Sequence, residues 1–266
     1  MDEYIKLVAY VMFAIVGLCV GSFLNVVIYR LPNNMSLAFP ASHCTTCDYT
    51  LKWYDNIPVL SYLMLGGKCR SCKQKISPRY MLVEIFNALL WTLSVFVFWD
   101  SSAEGRIYAI AAAIISSALI CIFFIDLDHM LIFNRFTIIV AVSGLATMFT
   151  DRFTQWYDHI IGGIVGGGAF LAIYFGAILI LKKEGLGFGD VKLAAAAGFM
   201  LGWQKLILAI LVASVVGSII LLILKFVRND DKNKEYPFGP FISAGVLLSL
   251  FFGSHIINWY VALILG

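Results

Sequence analysis

Apolar runs of about 20 residues recur from one end of this chain to the other, and that is the length a helix needs to cross the hydrocarbon of a bilayer. Composition agrees. The chain is 61% hydrophobic and 13% charged, against about 25% charged residues in an average soluble domain. The expected fold class is therefore all-α, a polytopic membrane protein with the lipid bilayer as its solvent. The net charge of +3 is small and the basic residues are scattered. Without a basic stripe, nucleic acid is not an expected partner.

About eight transmembrane helices are predicted, near residues 4–28, 80–99, 107–125, 136–150, 160–181, 193–201, 206–227 and 241–265. An alternative treats 190–227 as one broken unit. Asp2 and Glu3 precede the first run where a signal peptide would carry basic residues, and no small-residue cleavage site follows, so it reads as a retained helix. This divides the chain into a first helix at 1–30, a polar insert at 31–79 and a helical domain at 80–266. Gly21, Ser22 and Asn25 give the first helix a small, polar packing face. Gly162, Gly163, Gly166, Gly167 and Gly168 do the same for the fifth. Pro237-Phe238-Gly239-Pro240 forms a rigid entry to the last helix.

The insert contains Cys44-Thr45-Thr46-Cys47 and Cys69-Arg70-Ser71-Cys72, with 21 residues between the pairs. Two C-x-x-C knuckles at that separation supply four thiolates to one tetrahedral centre, the ligand set of structural zinc. Two disulfides are the alternative, and they require an oxidising compartment. Zinc would fold a segment too short to bury a core of its own. Cys19 and Cys121 lie within apolar runs and read as buried thiols.

Charge sets the expected orientation. Fifteen Lys and Arg residues fall on the odd-numbered connections, and four (Lys6, Arg106, Arg152 and Lys205) on the N-terminus and even connections. By the positive-inside bias both termini face outward and the cysteine insert faces the reducing cytosol.

Carboxylates mark the chemistry. In Gly185-Leu186-Gly187-Phe188-Gly189-Asp190-Val191-Lys192 an apolar run breaks, glycines loosen the backbone and an acid appears. Asp126-Leu127-Asp128 ends the third run in the same way. Acids at a membrane edge are costly and mark function by default. The expected topology puts Asp126 and Asp190 at the same leaflet boundary. Paired carboxylates at close range share a proton, so one can take a proton from water while the other protonates a carbonyl oxygen. The bland alternative makes Asp190 a helix N-cap and leaves Asp126 and Asp128 as interfacial anions paired with Lys or Arg. Gly187, Gly189, Lys192 and Glu84 are expected to support the site, Lys192 by offsetting charge near Asp190 and Glu84 by helix packing or pairing with an arginine. His129 is not assigned a role.

Read in order, these motifs resemble a known family. Gly21-Ser-Phe-Leu-Asn-Val-Val-Ile-Tyr-Arg-Leu-Pro32, the paired C-x-x-C, Ile76-Ser-Pro-Arg-Tyr80, Val83-Glu84, Ile125-Asp126, Gly187-Phe-Gly-Asp190 and Pro237-Phe-Gly-Pro240 are similar to the type IV prepilin peptidases. The resemblance implies an eight-helix intramembrane aspartic protease of the bacterial inner membrane, with Asp126 and Asp190 as the catalytic pair. It implies type IV prepilin or pseudopilin precursors as substrates, cut between Gly and Phe on the cytoplasmic side. It also implies N-methylation of the new terminus by S-adenosylmethionine in or beside residues 31–79, and work alongside pilus or secretion assembly machinery. The methyl-donor residues are not identified by it. The chain departs from the family at Ile132-Phe133-Asn134, where Ile-Pro-Asp is usual, and at Met81, where proline is usual. Both changes bear on local geometry.

A rival reading is a cation- or proton-coupled transporter with a zinc-stabilised insert. It calls for acids near the midplane and an internal repeat of helices, neither of which this chain shows. A non-catalytic assembly scaffold, a third reading, requires the aspartates to be dispensable.

Overall fold

A computed structural model describes residues 2–151, 154–182, 185–228 and 236–265. Arg152, Lys183, Lys232 and Lys234 of the charge count lie outside the described residues. The regular elements are helical, with two isolated β-bridges, His43–Thr50 and Lys68–Lys75. The protein is an all-α polytopic membrane protein. Among the described residues, six helices are long and apolar enough to span a bilayer. The chain divides into two compact units, Met1–Trp99 and Asp100–Gly266.

In the first unit, α1 (Asp2–Arg30) packs against α3 (Arg79–Phe98). Glycines bring the two backbones together. A Cβ on Gly17 would lie 2.8 Å from Cα of Ala88, and one on Gly21 would lie 2.7 Å from Cα of Glu84. Amide side chains then fasten the pair, with Asn87 Nδ2 donating to Gly17 O at 2.7 Å and Asn25 Nδ2 to Tyr80 O at 2.9 Å. Small residues plus interhelical hydrogen bonds are how helices associate where lipid removes the hydrophobic driving force.

Between them lies the insert, with a single 3₁₀ turn Trp53–Asn56 and the short α2 (Leu60–Met64). Arg30 turns the chain out of α1 by donating to Ser36 O at 3.0 Å and Pro40 O at 2.8 Å. The two knuckles have the same backbone pattern. Asp48 N donates to Cys44 O and Cys44 N to Tyr49 O; Lys73 N donates to Cys69 O and Cys69 N to Gln74 O. Asp48 and Lys73 occupy equivalent left-handed positions, at φ 54° and 60°. Cys19 is exposed, unlike the buried thiol expected there; Cys121 is buried as expected.

The second unit contains α4 (Ala103–His129), α5 (Asn134–Thr150), α6 (Trp156–Leu181), α7 (Phe188–Leu201), α8 (Trp203–Arg228) and α9 (Gly239–Leu265). Together with α1 and α3 these make the eight expected helices, although α5 and α7 are shorter than a full span. At 14 residues α7 is about 21 Å long, so it sits inside the unit, with Leu193, Ala194, Ala197, Met200 and Leu201 fully buried. Gly162 and Gly166 of α6 touch the backbone of α7 directly, at Gly198 and Ala194. Gly163 and Gly167 face the same helix, whereas Gly168 has open space around it and lies off this face.

One end of this unit is closed by buried polar groups. Lys205 Nζ meets Asp151 Oδ2 at 2.8 Å with both side chains almost wholly buried, and Tyr108 donates to the same oxygen at 3.5 Å. Trp203 Nε1 donates to Asp158 Oδ1 at 2.9 Å, and His159 bridges Thr154 Oγ1 and Phe199 O. Lys205, counted on an even connection, lies in the first turn of α8 and forms an interior ion pair, while its backbone carbonyl accepts from Ser249 Oγ of α9 at 2.6 Å.

Candidate active site and metal centre

Asp126 lies one turn before the end of α4, which continues to His129 and stops at Met130 in the left-handed conformation. Asp126 is 5% exposed. Its Oδ2 accepts the N–H of Gly239 at 3.0 Å. Gly239 is the first residue of α9, and a helix N-terminus favours a negative group beside it. Only glycine fits there, since a Cβ would stand 2.6 Å from Asp126 Oδ2.

Asp190 lies in the first turn of α7. The helix begins at Phe188, not near 193 as the apolar pattern suggests, and its N-cap is Gly187. Asp190 is the third helical residue, so the N-cap reading does not hold; its own N–H donates to Gly187 O at 3.0 Å. The side chain is 7% exposed, and Oδ1 has no hydrogen-bond partner among the described residues. The two carboxylates are close enough for the charge of Asp126 to act on Asp190. One side chain joins their surroundings: Ile132 lies against Gly189, where a Cβ would come within 2.9 Å of it, and its Cδ1 lies 3.1 Å from a Cβ built at Gly239. One turn further along α9, Ser243 is fully buried, and its hydroxyl has no partner among the described residues. Neither Ile132 nor Ser243 has a signal in the sequence beyond being apolar or small in an apolar run.

The remaining acids divide cleanly. Asp128 and His129 are exposed at the end of α4. Lys192 reaches across to α5, donating to Asn134 Oδ1 at 2.9 Å with its Nζ 4.9 Å over the Phe188 ring. Phe133 is the N-cap of α5 at φ −76°, within the range a proline would impose. The departure at Phe133 thus keeps the turn that proline would give.

Glu84 lies in the first unit. It is 9% exposed and its Oε2 accepts the N–H of Val59 at 2.8 Å, so its partner is a backbone amide of the insert and not an arginine. Beside it is a cavity of about 710 Å³ lined by α1, α3 and the insert. Met81 is on its wall.

The four insert cysteines converge, with all Sγ atoms within 4.8 Å of one another. Cys44 and Cys72 are 3.9 Å apart and Cys47 and Cys69 are 4.0 Å apart. A tetrahedron with Zn–S bonds of about 2.3 Å has edges of about 3.8 Å, so the cluster fits a tetrahedral metal ion. The backbone amides of Thr46 and Cys47 pull the Cys44 thiol down to about 6. Asp55 braces both knuckles, a role the sequence did not disclose. It accepts from Arg70 Nε at 2.7 Å and from Tyr49 Oη at 3.3 Å. Burial raises its carboxyl, but the bonds from Arg70 and Lys52 outweigh that and hold it below the usual range.

Residues 15–98 match the model of the bacterial peptidase A24 N-terminal domain, and residues 113–222 match that of the type IV leader peptidase family. The chain is 35% identical to a prepilin leader peptidase/N-methyltransferase of Aeromonas salmonicida (strain A449), over 94% of this chain and 92% of the relative. It is 35% identical to one from Pseudomonas putida, over 91% and 90%. It is 39% identical to a type 4 prepilin-like proteins leader peptide-processing enzyme of Escherichia coli O78:H11 (strain H10407 / ETEC), over 88% and 91%. No solved structure matches the chain. With the two family models falling one within each compact unit, and full-length relatives at this identity, the chain belongs to the type IV leader peptidase family.

Proposed function

We propose that this protein removes the leader peptide from type IV prepilins or pseudopilins at the cytoplasmic face of the bacterial inner membrane, and then N-methylates the new N-terminus. The observation that carries the peptidase reading is the asymmetry of the two buried acids. Asp126 is held by Gly239 N–H, whereas Oδ1 of Asp190 has no partner among the described residues. One carboxyl is oriented and the other keeps a lone pair for water or a scissile carbonyl. The ionised member takes a proton from water as the oxygen attacks the carbonyl carbon, and the protonated member gives its proton to the carbonyl oxygen. Collapse of the tetrahedral intermediate breaks the C–N bond, and the leaving amine is protonated from the dyad.

In this reading the four cysteines hold zinc, which folds the insert, and both termini face outward, as the charge count supports. S-adenosylmethionine, held in or beside residues 31–79, would supply an electrophilic methyl group to the new amine, which would lose a proton as the thioether product leaves. Pilus or secretion assembly machinery would use the product. The deciding experiment incubates purified protein in lipid with a precursor bearing a Gly–Phe junction, followed by mass spectrometry of the product. Failure of the native, metal-loaded protein to cut it would overturn the reading.

A further inference from the structure

The cavity of the first unit is not used by the peptide-bond chemistry, and it has a feature that demands a ligand. Glu84 is on its wall, and the carboxylate accepts the Val59 N–H at 2.8 Å. Among the described residues no Lys, Arg or His pairs with it. The other buried acid of this unit, Asp55, is neutralised by Arg70 at 2.7 Å. Arg30, His43, Arg70 and Lys75 also line the cavity, with Arg30 held by the Ser36 and Pro40 carbonyls and Arg70 by Asp55. Burying the Glu84 carboxylate with no counter-ion is costly, so its part of the wall is suited to receive a cation. The aromatic rings of Phe23, Tyr29, Tyr62 and Tyr80 also line it. Such faces attract cations and stack on planar heterocycles. At about 710 Å³ the volume is that of a pocket for a cofactor-sized molecule.

Resting on the N-methylation reading, we propose that this cavity is the methyl-donor site and that the Glu84 carboxylate faces the sulfonium of S-adenosylmethionine. The donor carries that positive sulfur together with an aromatic adenine, and the cavity offers a counter-charge and rings for both. Its demethylated product has a neutral thioether at the same place. The carboxylate therefore discriminates donor from product, which favours release after transfer.

The test measures binding of S-adenosylmethionine and S-adenosylhomocysteine to the full-length, metal-loaded protein in lipid nanodiscs. The native protein should prefer the donor by on the order of tenfold. In Glu84→Gln, whose amide oxygen still accepts the Val59 N–H, that preference should fall to near parity while the product binds as before. Metal content reports whether the variant's insert is folded. An independent reading uses the native chain. Cys19 is exposed and lines the cavity, so the donor should protect it from a small maleimide.

A metal-loaded Glu84→Gln that keeps the native preference overturns the assignment. If that variant loses its metal, Cys19 decides: protection supports the site, and donor binding without protection overturns it. Protection by a phenylalanine-terminated peptide amine and not by the donor would give the cavity to the methyl acceptor, and would also overturn it. No donor binding by the native protein would remove the methylation reading along with the site, whereas the preceding outcomes leave methylation standing.

Discussion

The backbone N–H of Gly239 donates to Oδ2 of Asp126 at 3.0 Å across 113 residues of sequence. The start of α9 is thereby fixed to the end of α4, and the Asp126 carboxyl has one preferred orientation. Among the described residues, Asp190 receives no equivalent anchor on Oδ1. In the proposed mechanism, this difference between an anchored and an open carboxyl would let two identical side chains take different parts in one reaction.

Asp126→Asn and Asp190→Asn should each lower cleavage by about 10²-fold or more while leaving the protein inserted and folded. An amide keeps the size but cannot exchange the proton. Because the pair works as a unit, the double variant should be scarcely worse than either single one. Single-turnover cleavage rates measure this, and efficient cleavage by a folded Asp190→Asn would falsify the dyad.

Gly239→Ala forces a methyl to within 2.6 Å of Asp126 Oδ2. A displacement of that carboxyl by about 1 Å should cost on the order of 10²-fold in kcat. Gly168→Ala is the control. With no atom within 4 Å of the added carbon, it should cleave normally and gain about 0.5–1 kcal/mol from reduced backbone entropy. Equal activity of the two variants would show that the approach at residue 239 has no bearing on the chemistry.

Purified protein should contain about one zinc per chain with four-sulfur coordination, measurable by X-ray absorption. Cys44→Ser or Cys69→Ser should release it. Asp55→Ala should loosen the insert too, because it removes the acceptor shared by Arg70 and Tyr49. Recovery of Cys44–Cys47 and Cys69–Cys72 disulfides from thiol-blocked cells would contradict both the metal and the cytosolic placement.

Lys205→Met removes the ammonium 2.8 Å from the buried Asp151 carboxylate and should destabilise the second unit by about 3–5 kcal/mol. Combining it with Asp151→Asn should recover part of the loss, since neither residue then retains an uncompensated charge. Thermal unfolding in detergent separates these cases. Additive destabilisation would mean the ion pair at 2.8 Å contributes nothing as a pair.

Membrane spans, cysteine knuckles and acids at the ends of apolar runs were legible in the sequence because each is a local pattern. Span length follows from bilayer thickness, C-x-x-C from the geometry of one knuckle, and the acids stand out against an apolar background. Helix ends were less legible. The start of α7 at Phe188 was hidden by glycines that look like a break; of these only Gly189 lies in the helix, where Ile132 occupies the space a side chain would need. What only the tertiary structure decided were pairings between distant segments: Gly239 with Asp126, Val59 with Glu84, Lys205 with Asp151, and Arg70 with Asp55. The physical reason is that a hydrogen bond or ion pair gains from the partner that packing delivers, and neither residue of such a pair carries a local mark of which partner that is.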